Sequence, residues 1–189
     1  MARPAAFDRD AALQAAMLLF WRKGYQAAAL PDLLAAMGIG RSSLYAGFGD
    51  KRQLFVACLD RFAARTRTLI ARARERQPPL AALRHFFERS FQEDRAEAAL
   101  GCLLVNTITE LAGVDDDLAG IASAHLGAIE GDFVACLVTA GRPPARAAEL
   151  AAFLMLVNEG LRVASRRPLP PPHHLARIDT AFALLEDAA

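Results

Sequence analysis

At 189 residues, 54% hydrophobic and 23% charged, the chain has enough apolar content for a packed core, which excludes a disordered or low-complexity protein. Its net charge of +1 hides a division: residues 1–77 hold 13 Lys/Arg against 6 Asp/Glu, and residues 78–189 hold 9 against 15. A basic front on an acidic body is the footprint of a nucleic-acid-binding head.

Alanine and leucine outnumber the β-branched residues, no strand period is evident, and the expected fold is all-α. The first helix is expected over Arg9–Lys23, capped by Asp8 and stopped by Gly24, with Leu13, Ala16, Met17 and Phe20 as its buried stripe. A short helix follows over Leu30–Met37, with Pro31 in its first turn. Gly38-Ile39-Gly40 reads as a tight turn with one apolar plug, and a third helix runs from Arg41 to Ala46 before a break at Gly47-Phe48-Gly49. Asp50 and Gln53 form a capping-box pattern that opens a fourth helix, whose apolar face is Leu54, Phe55, Leu59 and Phe62. After Pro78-Pro79, five more helices are expected near 80–93, 101–113, 116–140, 144–166 and 173–187. This divides the chain into a three-helix head (1–50), a connecting helix (51–78) and a bundle body (79–189), about nine helices in all.

No uncharged apolar run approaches the ~20 residues of a membrane span, the stretch Ala98–Thr109 being bounded by Glu97 and Glu110. The N-terminus lacks the apolar core of a signal peptide. Three cysteines, Cys58, Cys102 and Cys136, odd in number and widely spaced, speak against a disulfide framework or a zinc site and for a reducing cytoplasm. No metal, cofactor or membrane partner is expected. No nucleophile–base pair or glycine-rich phosphate loop suggests catalysis.

Two short helices joined by a glycine turn behind an amphipathic helix make a three-helix DNA-binding unit. Gly38 permits the left-handed backbone that ends the second helix, and Arg41, Ser42 and Ser43 open the third with donors for base edges and phosphates. The run from Phe20 to Phe55 contains Gly24-Tyr25, Leu30-Pro31-Asp32-Leu33, Gly38-Ile39-Gly40-Arg41-Ser42-Ser43-Leu44-Tyr45-Ala46-Gly47-Phe48-Gly49-Asp50-Lys51 and Leu54-Phe55. It closely resembles the head of the tetracycline-repressor (TetR) family, over about residues 7–60. That resemblance implies a nine-helix fold, a homodimer formed by the last two helices, a ligand pocket in the body and double-stranded operator DNA as partner. Carried over by position, Tyr45 is expected to contact a phosphate through its hydroxyl and Lys51 the DNA backbone. Arg41, Ser42 and Ala46 take groove-facing positions, and Leu44 and Phe48 take core ones. Arg3 lies in an arm suited to a minor groove. The chain departs from the family at Ala27-Ala28-Ala29, where Thr or Ser usually caps the second helix (about 1 kcal/mol), at Gly40 and at Gly47.

In the body, Gly101-Cys102-Leu103-Leu104-Val105-Asn106 resembles a signature of a TetR-type subgroup, some of whose members respond to electrophiles or oxidants. A cysteine in the first turn of a helix feels the dipole, which favours thiolate; a buried small core residue is the alternative. Candidate pocket residues are Phe87, Phe91, Cys102, Asn106, Thr107, His125, Phe133 and Asn158, polar groups set in apolar stripes where an unknown small-molecule or electrophile inducer can provide partners. The candidate dimer face is Phe153, Leu154, Val157 and Leu161 on one helix and Ile178, Phe182 and Leu185 on the other. The function expected is a cytoplasmic, homodimeric transcriptional repressor released by a ligand or by cysteine modification. An all-helical ligand-binding or enzymatic bundle without DNA binding stays open as the alternative.

Overall fold

The computed structural model describes residues 7–92, 99–167 and 170–187; Arg3 lies outside them. The described residues form nine helices and no strand: α1 (Arg9–Lys23), α2 (Leu30–Met37), α3 (Arg41–Phe48), α4 (Lys51–Arg74), α5 (Pro79–Gln92), α6 (Leu103–Leu111), α7 (Asp116–Thr139), α8 (Pro144–Ala164) and α9 (Pro171–Asp187).

The starts and stops follow local chemistry. Asp8 accepts the backbone N–H groups of Asp10 and Ala11 at 2.9 and 3.0 Å, satisfying two of the donors that a helix start leaves open. The expected capping box is formed in both directions, Gln53 N–H to Asp50 Oδ1 at 2.8 Å and Asp50 N–H to Gln53 Oε1 at 3.3 Å. The third helix runs two residues beyond the expected end, because Gly47 stays helical and the chain turns only at Gly49.

Two aromatic clusters mark the two parts of the core. In the head, Phe20 meets Phe55 edge-on at 4.7 Å between ring centroids, and Tyr25 lies 4.8 Å from the same ring. In the body, Phe87 contacts Phe86, Phe133 and Phe182 at 5.5–5.7 Å. α4 joins the two, packing on α1 at one end and on α5, α6 and α7 along the rest. α7 is long and apolar enough to cross a membrane by length and composition. Its Leu118, Leu126, Ile129, Phe133 and Leu137 are buried against the surrounding helices, so its apolar content is that of a core helix.

Candidate nucleic-acid interface

The turn between α2 and α3 sets the angle of the third helix. Gly38 sits in the left-handed region (φ 66°, ψ 28°), its N–H donating to Ala35 O at 3.3 Å while Ile39 N–H donates to Leu34 O at 3.2 Å. These bonds take up the open carbonyls at the end of α2. Ile39 tucks against the core. On α3, Leu44 and Phe48 point inward, 0% and 7% exposed. The helical period therefore turns Arg41, Ser42, Tyr45 and Ala46 to solvent, with Ser43 half-buried at the edge. Tyr45 is 53% exposed, an uncommon position for so large a ring. Arg41 has no ion pair among the described residues, so one convex face offers a free guanidinium and a phenol hydroxyl.

The departures noted in the sequence acquire reasons. The Phe7 ring comes within 3.0 Å of where a Cβ on Gly47 would stand, so a side chain there would press on that ring. Arg9 fastens the same corner, stacking over Phe48 at 4.7 Å and donating through Nε to Gly47 O at 3.3 Å. The start of α2 has no side-chain cap, as the three alanines lead one to expect, and Ala28 is instead fully buried.

Lys51 is half-buried, its ammonium 4.6 Å from the centre of the Tyr25 ring. Burial pulls its pKa below the ordinary lysine value, partly opposed by Glu110. Arg52 faces the body, where its guanidinium bonds both Asp115 oxygens and reaches Asp117 at 3.4 Å. Its hydrogen bond holds the Asp115 carboxyl below the ordinary range. Two arginines farther along α4 also pair within the chain, Arg61 with Asp10 at 3.0 Å and Arg67 with Asp132 at 2.6 Å.

Sequence reasoning missed the joint between head and body. Glu110, near the end of α6, accepts the backbone N–H groups of Tyr25 at 3.0 Å and Gln26 at 2.8 Å. Gly24 has φ 83°, a conformation that favours glycine, and a Cβ there would stand 2.6 Å from that carboxylate and displace it.

The candidate pocket residues are not gathered in one place. Asn106 and Thr107 line a cavity of about 300 Å³ between head and body; the other six do not line it. Asn106 donates to Leu100 O at 2.9 Å and accepts from Arg166 at 3.3 Å, while Thr107 returns its hydroxyl to Leu103 O. Phe87 and Phe133 belong to the aromatic core of the body. Phe91 stacks on His174 at 4.7 Å. His125 faces α4, bonded to Asp60 at 2.9 Å. Asn158 is buried beside Met155 and accepts from Arg162 at 3.4 Å. Cys102 is the N-cap of α6, 5% exposed. Burial raises its thiol pKa, and Arg162 offsets only part of that. The dipole argument made from sequence therefore loses to desolvation.

The residues expected at a dimer face divide between core and surface. Leu154, Ile178, Phe182 and Leu185 are 0–4% exposed and belong to the core of the single chain, and Leu161, 5% exposed, lies at the floor of a groove on its surface. Of the seven residues expected there, Phe153 (40% exposed) and the half-buried Val157 remain at the surface. They are joined by Leu156 at 69%, Val163 at 57% and Leu184 at 55%. The α8–α9 surface between them includes Gly160 and Ala181, whose small side chains leave a shallow apolar groove.

Residues 12–58 match the family described as bacterial regulatory proteins, tetR family. Among curated proteins, the chain is 38% identical over 128 residues to the HTH-type transcriptional repressor ComR of Escherichia coli (strain K12), covering 65% of this chain and 60% of that protein. It is 31% identical over 121 residues to the uncharacterized HTH-type transcriptional regulator YezE of Bacillus subtilis (strain 168), 63% and 62% of the two chains. These matches thus span less than two thirds of the length of either relative. Among solved structures, a cysteine mutant of the TetR family transcriptional regulator CifR, complexed with 26bp double-strand operator DNA, superposes with a TM-score of 0.84 at 28% identity over 96% of this chain and 98% of that one. A TetR family regulator from Cytophaga hutchinsonii superposes with a TM-score of 0.81 at 20% identity, over 95% and 93%, which bears on the fold alone.

Proposed function

We propose that this chain, whose head belongs to the tetR family of bacterial regulatory proteins, is a homodimeric transcriptional repressor released from operator DNA by a small molecule. The observation that carries the reading is the solvent face of α3. Tyr45 stands 53% exposed beside an unpaired Arg41, while Leu44 and Phe48 anchor the same helix from behind. Such a face, presented twice about 34 Å apart, suits two successive major grooves of a near-palindrome. The operator-bound state of CifR, alike over nearly the whole chain, supports the same mode here. Lys51 meets phosphate in this reading once its ammonium leaves the Tyr25 ring, and Arg3 is assigned to the minor groove.

The partner copy docks on the α8–α9 surface through Phe153, Leu156, Val157, Val163 and Leu184. A signal in the body reaches the head through two joints, Glu110 to the α1–α2 loop and Arg52 to Asp115. Both join the α6–α7 region to the head and the start of α4, so a shift of α6 alters the spacing of the two heads and the operator is lost. The buried Cys102 thiol favours a bound small molecule over cysteine modification as the signal. The test is selection of bound duplexes from a random pool. An enriched inverted repeat is expected; a pool without enrichment at low salt, from a folded protein, contradicts the reading.

A further inference from the structure

The cavity between head and body has a chemistry of its own. Trp21, Arg22 and Tyr25 contribute its head side, and Asn106, Glu110 and Arg166 its body side. Arg22 has no ion pair among the described residues. Arg166 donates to the neutral Asn106 Oδ1 at a long 3.3 Å. Lys23, also at the wall, is neutralised by Asp32 at 2.7 Å. The Glu110 carboxylate is engaged by two backbone N–H groups. Trp21 also lines the space, 8% exposed, and its indole N–H is buried without an acceptor. The lining thus carries Arg22, Lys23 and Arg166 against the single Glu110 carboxylate, a net positive wall, and neither Arg22 nor Arg166 has an ion pair among the described residues. The apolar lining is the exposed Val163, with the nearly buried Phe20 and Leu103 behind it.

We infer that this cavity is an effector site for a small organic carboxylate with a compact apolar body. The carboxylate is an acceptor-only anion that a guanidinium fork binds in two places, and the apolar part lies against Val163, Phe20 and Leu103. At about 300 Å³ the space stands at the small end of ligand sites. Arg22 belongs to α1 and Arg166 follows α8, so an anion held between them ties head to body directly. The consequence for DNA rests on the repressor reading; binding itself does not.

Trp21 is the only tryptophan in the chain, so its emission reports the site. Titration of the full-length protein with cyclohexanecarboxylate, which is transparent at the excitation wavelength, is expected to change that emission saturably. Uncharged cyclohexanecarboxamide is expected to bind at least ~10-fold more weakly, the loss of one charge-assisted pair. Arg22→Gln combined with Arg166→Gln should weaken the carboxylate ~10-fold or more, with the helical circular dichroism retained. Should the double variant misfold, Arg22→Gln alone, on an exposed position, is expected to weaken it ~3-fold. No saturable change, equal response to acid and amide, or binding that survives these substitutions overturns the inference. The titration uses no DNA: a protein that selects an inverted repeat but ignores the carboxylate loses the site and keeps the repressor reading, and the opposite pair of results does the reverse.

Discussion

Glu110 reaches from α6 across to the head and accepts the backbone N–H of Tyr25 at 3.0 Å, with Gln26 N–H at 2.8 Å beside it. A hydrogen bond to a charged acceptor contributes about 1.5–3 kcal/mol, less here because the carboxylate is partly exposed. Glu110→Ala is therefore expected to cost about 1–2 kcal/mol of stability. It should also speed amide hydrogen exchange at Tyr25 and Gln26 ahead of the rest of α1. Glu110→Gln retains one acceptor oxygen and should fall between. Unchanged exchange at these two amides in Glu110→Ala means that the joint contributes nothing to holding head and body together.

On α3, inward and outward residues should separate cleanly. Leu44, fully buried, is expected to cost about 2–4 kcal/mol on change to alanine. Tyr45→Phe removes only a hydroxyl that meets solvent, so thermal unfolding should stay within about 0.5 kcal/mol of the parent. Its operator affinity should drop ~5- to 10-fold, the worth of one hydrogen bond to phosphate. Loss of stability in Tyr45→Phe, or undiminished DNA binding, would count against the assigned face.

Much of the head was legible because its signals are local. Asp8, the Asp50–Gln53 box and the Gly38 turn each act within a few residues, and all three formed as expected. The body was harder. The strongest apolar stripe on the last two helices, Leu154, Ile178 and Phe182, reads equally as core or as interface. Only the position of the other helices decides that it is core. The exposed residues Phe153, Leu156 and Val163 interleave with it. The Glu110 joint left no trace in the sequence, because its partners are backbone N–H groups 84 and 85 positions away. At Cys102 the helix dipole, visible in the sequence, favours thiolate, and desolvation of a side chain only 5% exposed outweighs it.

The proposed docking surface on α8 and α9 gives an opposite pair of outcomes. Leu156→Glu, at a residue 69% exposed, should leave a folded chain that sediments as a monomer and loses operator binding. Ile178→Ala, with no exposure at all, should destabilise the chain by about 2–4 kcal/mol without touching the partner surface. A dimeric Leu156→Glu protein places the interface elsewhere.

All three cysteines are buried, and burial raises the thiol pKa of each. The thiolate fraction at neutral pH is then smaller than for a free cysteine, and it grows only as the pH climbs into the alkaline range. A disulfide exchange reagent near neutral pH should label none of them on the time scale that suffices for a free thiol, and all of them in denaturant. Fast labelling of Cys102 in the native protein would restore cysteine modification as the release signal.

In the proposed complex α3 grips a duplex twice per dimer through phosphate and groove contacts. This is tested most directly by equilibrium titration of the selected inverted repeat across a salt series, with parent protein and an Arg41→Ala, Tyr45→Phe double variant. Expected are two chains per duplex, affinity that falls ~10³-fold or more between about 50 and 200 mM salt, and a variant that binds at least ~10-fold more weakly with a shallower salt slope. One chain per duplex, salt-insensitive binding, or a double variant that binds like the parent would contradict it.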